Sequence, residues 1–182
     1  MPAILAPHTI GVMGSSSDGH EEDARAVGET LADLGVNLLT GGGPGVMRAV
    51  SRAFTQHPGR RGICIGIIPC ASEADRLTPK PGYPNEFVEL VIHTHLPYSG
   101  LQGTHDLSRN HINVLSCVAI IALPGEHGTA SEISLALRYR KPVVAYAGDV
   151  TLLAQLPASV PRLNSTDALR GFVREACGIA ST

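Results

Sequence analysis

A marked excess of charge of one sign is missing from this sequence. Fourteen Lys and Arg stand against 16 Asp and Glu, for a formal net charge of -2. With no basic stripe along any segment, the chain offers no electrostatic footprint for nucleic acid. Long apolar runs are missing too: none approaches the roughly 20 residues a membrane-spanning helix needs. The first residues, Met1 to Pro7, lack a basic n-region and a long h-region, which argues against a secretion signal. Cysteine is sparse. Cys64, Cys70, Cys117 and Cys177 are widely spaced and lie mostly in apolar segments. They predict small buried hydrophobes in a reducing cytoplasm, and neither a disulfide framework nor a zinc site.

What is present is an ordinary globular balance, 43% hydrophobic and 16% charged, in a chain long enough for one full core. Short apolar strands alternate with amphipathic segments. Strands are expected at 9–14, 36–40, 62–68, 87–92, 118–122 and 143–146. Helices are expected after Asp18, after Met47 toward Phe54, over 104–115 and 132–140, and, capped within 164–167, to about Cys177. Asp18 with Glu21 three positions later reads as a capping box, and Gly35 as a helix stop. Pro79, Pro81, Gly82 and Pro84 mark 70–85 as an irregular loop or lid. The alternation predicts an α/β fold: a Rossmann-like open parallel sheet of about six or seven strands, flanked by helices on both faces, with 1–182 as a single domain.

Two glycine-bearing corners follow strands. Gly41-Gly42-Gly43-Pro44-Gly45-Val46-Met47 comes after Val36–Thr40, and Pro124-Gly125-Glu126-His127-Gly128-Thr129 comes after Val118–Ala122. A strand, a tight turn and a helix start aim backbone N–H groups and a positive helix end at one spot, which attracts anions, phosphates above all. In open parallel sheets ligands bind at the carboxyl edge. Neither corner is a standard fingerprint: the Lys-Ser/Thr of a P-loop is missing after Gly45, and Arg48 stands at the third glycine of the dinucleotide pattern. Glu132 is expected in the first turn of its helix, next to the anion. Gly14, Ser15 and Ser16, after the first strand, are phosphate-binding candidates or merely precede a helix cap.

These two corners resemble the paired signatures GGG-x-G-x-M and P-G-G-x-G-T-x-x-E of the LOG-like superfamily. That group includes cytokinin-activating phosphoribohydrolases, proteins labelled lysine decarboxylases, and molybdenum cofactor carrier proteins. The resemblance runs from about Ile10 to Tyr146, and 110–116 with 132–137 looks closer to the carrier branch. It implies Glu132 and Arg109 as catalytic residues. It further implies a ligand or phosphate site formed by Gly14, Ser15, Ser16, Gly41, Gly42, Gly43, Gly45, Met47, Pro124, Gly125, Glu126, His127, Gly128 and Thr129. Two departures stand out: Glu126 replaces the second motif glycine, and Asn110 follows Arg109 where the plant-type hydrolases usually have Lys.

The implied activity is hydrolysis of the N-glycosidic bond of a nucleoside 5′-monophosphate to free base and ribose 5-phosphate, with no cofactor required. A carboxylate stabilises the positive charge that builds on the ribose or orients the attacking water. The alternative is a non-catalytic carrier whose ligand is molybdenum cofactor or another phosphate-bearing molecule. Lysine decarboxylation is rejected, because nothing resembles the Lys-containing cofactor site it needs. By analogy with the family, a homodimer or higher homo-oligomer is expected. His93, His95, His105 and His111 cluster in sequence, but no Cys, Asp or Glu stands at firm metal spacing with them, so no metal site is expected. Arg76 and Lys80 read as surface charges, with a lid over an anionic ligand as the other option.

Overall fold

In the computed structural model, residues 8–154 and 156–180 are described; the Met1–Pro7 segment considered for a signal lies outside them. Seven strands form one sheet in the order β4-β3-β2-β1-β5-β6-β7, every adjacent pair parallel. They are β1 (Thr9–Met13), β2 (Asn37–Thr40), β3 (Cys64–Ile68), β4 (Leu90–His93), β5 (Ala119–Ala122), β6 (Val143–Tyr146) and β7 (Arg162–Leu163). Five helices intervene: α1 (Glu21–Leu34), α2 (Val46–Gln56), α3 (Asn110–Leu115), α4 (His127–Arg138) and α5 (Thr166–Cys177).

Strand pleating sends alternate side chains to opposite faces, and each face carries its own core. Ile10, Val12, Leu38, Ile121 and Val144 pack with α1, α2 and α5. Met13, Leu39, Ile120 and Ala145 pack on the other face with Ile133 and Leu135 of α4. The chain winds outward from β1 through β2, β3 and β4, then returns to the other side of β1 for β5, β6 and β7. The connections thus reverse direction between β1 and β5, opening a crevice above the carboxyl ends of those strands.

Several expected boundaries move, each for a local reason. Asp18 is not the cap of α1. Its N–H is held by the Ser15 hydroxyl at 3.1 Å, so the loop continues to His20, which occupies the N-cap at φ 41° without a side-chain cap. The Asp18 carboxylate instead accepts the His20 N–H at 2.9 Å, and the capping box does not form. The helix expected over 104–115 is only the six residues of α3. Before it, a 3-10 turn at Gly100–Gln102 and the imidazole of His111, within hydrogen-bonding distance of the Thr104 and His105 carbonyls, hold an irregular path. β4 starts at Leu90, not at Phe87, because Phe87 and Val88 donate their N–H groups back to Asn85. Finally, α4 begins at His127, so Glu132 lies in its second turn and not its first.

Candidate functional site

Met13 ends β1, and the following chain, Gly14 to Ser16, turns through the crevice. Ser15 stitches the two glycine corners together. Its N–H donates to the Pro124 carbonyl at 3.1 Å, and its carbonyl accepts the Val46 N–H at 2.8 Å. Gly45, at φ +65°, caps α2 where an added Cβ would collide with the Ser15 backbone, so only glycine brings α2 this close. The two corners therefore meet at one edge of the sheet. Above them lies a cavity of about 440 Å³.

The expected residues divide between its surface and its support. Gly14, Ser15, Ser16 and Met47 line it from one side, Glu126, His127, Gly128 and Thr129 from another, and Arg109 and Glu132 from below. Gly41, Gly42, Gly43, Gly45, Pro124 and Gly125 do not line it; they stand behind its wall. The glycine run, implied for the site by the resemblance, makes room in the structure for other side chains. A Cβ at Gly41 would strike the Arg109 guanidinium, one at Gly43 the Tyr83 ring, and one at Gly125 the Thr129 hydroxyl. The Ser15 hydroxyl is likewise engaged in the loop, accepting from the N–H groups of Ser17 and Asp18.

Arg109 is 3% exposed, yet Nε and Nη1 of its guanidinium have no hydrogen-bond partner. Its guanidinium carbon lies 6.0 Å from the centre of the Tyr83 ring. The hydroxyl of Thr129, 1% exposed, is also without a partner. Glu132 is buried, and its Oε1 accepts a hydrogen bond from Asn113 Nδ2 at 3.0 Å. Burial raises the proton affinity of Glu132, while the Arg109 charge and the Asn113 bond pull the other way. The first helical turn of α4 adds N–H groups that the helix itself cannot pair. Unpaired donors, a buried cation and a positive helix end make this a place for an anionic, oxygen-rich ligand.

Of the two expectations for Lys80, a surface charge or a lid over an anionic ligand, its position fits the second: it lines the cavity with Tyr83, and its Nζ lies 3.5 Å from the Ser99 hydroxyl. Arg76 stays outside, donating to the Glu73 carbonyl. The proline-rich segment is pinned over the glycine corner: the Asn85 N–H donates to the Gly42 carbonyl at 2.7 Å, and its side chain to the Gly43 carbonyl at 2.9 Å. Pro79, Pro81 and Pro84 announced a loop, but no local pattern announced where it lands. Asn110 also lines the cavity, and Asn113 supports it from behind by donating to Glu132. Of the four clustered histidines, His111 bonds Tyr139 across 2.7 Å, and no metal-binding group of three occurs among the described residues.

Known proteins fit this geometry. A solved structure of the molybdenum cofactor binding protein from the phototrophic bacterium Rippkaea orientalis is similar at TM-score 0.71 and 28% identity, covering 94% of this chain and 98% of that one. The molybdenum cofactor carrier protein of Chlamydomonas reinhardtii is similar at TM-score 0.69 and 27% identity, over 94% and 99% of the two chains. An uncharacterized protein of Archaeoglobus fulgidus is 30% identical over 145 residues, 79% of this chain and 82% of that protein. The model of the SLOG cluster4 family matches residues 7–169. With both corner motifs inside that span, the chain belongs to the SLOG cluster4 family, within the LOG-like group its sequence resembles.

Proposed function

We propose that this protein binds a phosphate-bearing small molecule in the crevice above β1 and β5 and holds it without turnover, as a carrier. Molybdenum cofactor is the ligand class, carried as cargo. The observation that carries this reading is Arg109, a buried guanidinium at the cavity with two nitrogens lacking any partner. Leaving such donors buried and unpaired costs roughly 1–3 kcal/mol, which an incoming phosphate oxygen recovers. Thr129, the first-turn amides of α4, Ser16 and Lys80 complete the donor set. The volume of about 440 Å³ lies within the range of small-molecule sites. Similarity to a molybdenum cofactor binding protein and a molybdenum cofactor carrier protein supports the choice of cargo.

One observation favours hydrolysis as a second reading. Glu132 is buried, oriented by Asn113 and set near a guanidinium, an arrangement able to stabilise positive charge on a ribose ring. The two readings separate in one experiment. Purified protein is incubated with a panel of nucleoside monophosphates and with molybdenum cofactor, and free base and bound ligand are both measured. Carriage predicts binding with no base released from any nucleotide. Base release that vanishes in Glu132→Ala would establish the hydrolase.

We further propose that the chain self-associates beside the pocket. Ile112 and Leu115 are exposed three residues apart on α3, and Leu137 is exposed on α4, against which α3 packs. Four reduced, buried thiols fit a reducing compartment such as the cytoplasm. Among the described residues no helix is long and apolar enough to cross a membrane.

A further inference from the structure

Glu126 stands where the motif it resembles carries glycine, and its backbone explains how. With φ at -101°, the position makes no use of a glycine's left-handed freedom, so a side chain is admitted there. The residue is exposed, lines the cavity, and has no side-chain hydrogen bond or ion pair among the described residues. It occupies the N-cap of α4, beside the very amides that draw an anion in. A bare phosphate meets a conflict there, attracted by the helix end and repelled by the carboxylate. A ligand that presents N–H donors as well as a phosphate resolves it. Arg109 and Thr129, with their unpartnered nitrogens and hydroxyl, are free to take the phosphate of such a ligand, and Glu126 is free to accept its donors.

We propose that Glu126 is a specificity-determining residue, selecting phosphate-bearing ligands that also carry an aminopyrimidinone edge. That edge presents an amino N–H and a ring N–H side by side, which one carboxylate accepts together. The inference rests on the phosphate-ligand reading of the cavity. Guanine nucleotides and pterin phosphates both carry the edge, whereas IMP has the ring N–H without the neighbouring amino group.

The test is calorimetric titration of the full chain, wild type, Glu126→Gln and Glu126→Gly, with GMP, IMP and neopterin 3′-phosphate. The wild type should bind GMP about 10-fold more tightly than IMP, the scale of a bidentate base-edge contact. Both variants should bring that ratio close to one, with IMP bound at least as tightly as before because repulsion is relieved. Tighter, Glu126-dependent binding of the pterin over GMP would identify a pterin as the source of the edge, and the reverse order a guanine nucleotide. Equal wild-type affinities for GMP and IMP, or a preference that persists in both variants, would overturn the role of Glu126 and leave the phosphate reading standing. Failure of all three ligands to bind the wild type would overturn the inference, and failure of molybdenum cofactor to bind as well would overturn the reading it rests on.

Discussion

Arg109 and Glu132 are two buried charges that form no direct ion pair, and each has a separate measurable consequence. Burial lifts the carboxyl of Glu132 above the usual glutamate range. The folded state therefore holds its proton more firmly than the unfolded chain does. That contribution to stability is complete below the unfolded value and is lost as pH rises through the folded one. Urea denaturation at a series of pH values should show wild-type stability declining upward from the ordinary glutamate value, and Glu132→Gln should flatten that decline. For Arg109, the consequence lies in binding. If Arg109 holds the ligand's phosphate, Arg109→Met removes charge-assisted bonds worth about 1.5–3 kcal/mol, so affinity for a phosphorylated ligand should drop roughly 10–100-fold. Calorimetry or fluorescence titration reads that loss directly.

At the scale of elements, the glycine corner and α4 set the geometry. Gly41 leaves room for the Arg109 guanidinium, while Gly45 adopts φ +65° against the Ser15 backbone. Gly45→Ala should cost about 1–3 kcal/mol of stability through strain and collision. Gly41→Ala should weaken ligand binding more than it weakens the fold, because its neighbour is a movable side chain. Paired denaturation and binding curves distinguish the two. Here the sequence was informative about which segments are corners and less so about what corners do. Gly41, Gly42 and Gly43 announce backbone freedom, but whether that freedom admits a ligand or a neighbouring side chain depends on Arg109, Ile68 and Tyr83, all far along the chain. α4 starts earlier than its periodicity announces, because His127 to Ser131 carry no strong helical pattern, although nothing in them opposes a helix. α3 is shorter than expected because Gly103 packs against Ser131 and Asn110, and His111 holds the His105 carbonyl, both tertiary contacts.

Across the whole molecule, the alternation of apolar strands and amphipathic helices was enough for a parallel sheet covered on both faces, and seven parallel strands are found. β7 escaped because two residues, Arg162 and Leu163, are too short for any periodicity. The sequence leaves Lys80 open between surface and lid because its place depends on where the proline-rich segment lands on the glycine corner. Self-association belongs to this scale as well. Sedimentation velocity should show a dimer or larger species, and Leu115→Glu should shift it toward the monomer without unfolding the chain, since Leu115 is 52% exposed.

The most direct measurement is a calorimetric comparison of a nucleoside monophosphate with its unphosphorylated nucleoside, on wild type and Arg109→Met. If Arg109, Thr129 and the α4 amides hold a phosphate, the monophosphate binds at least about 10-fold more tightly than the nucleoside, and Arg109→Met removes most of that difference. Equal binding of the two compounds, or a phosphate preference untouched by Arg109→Met, would contradict it.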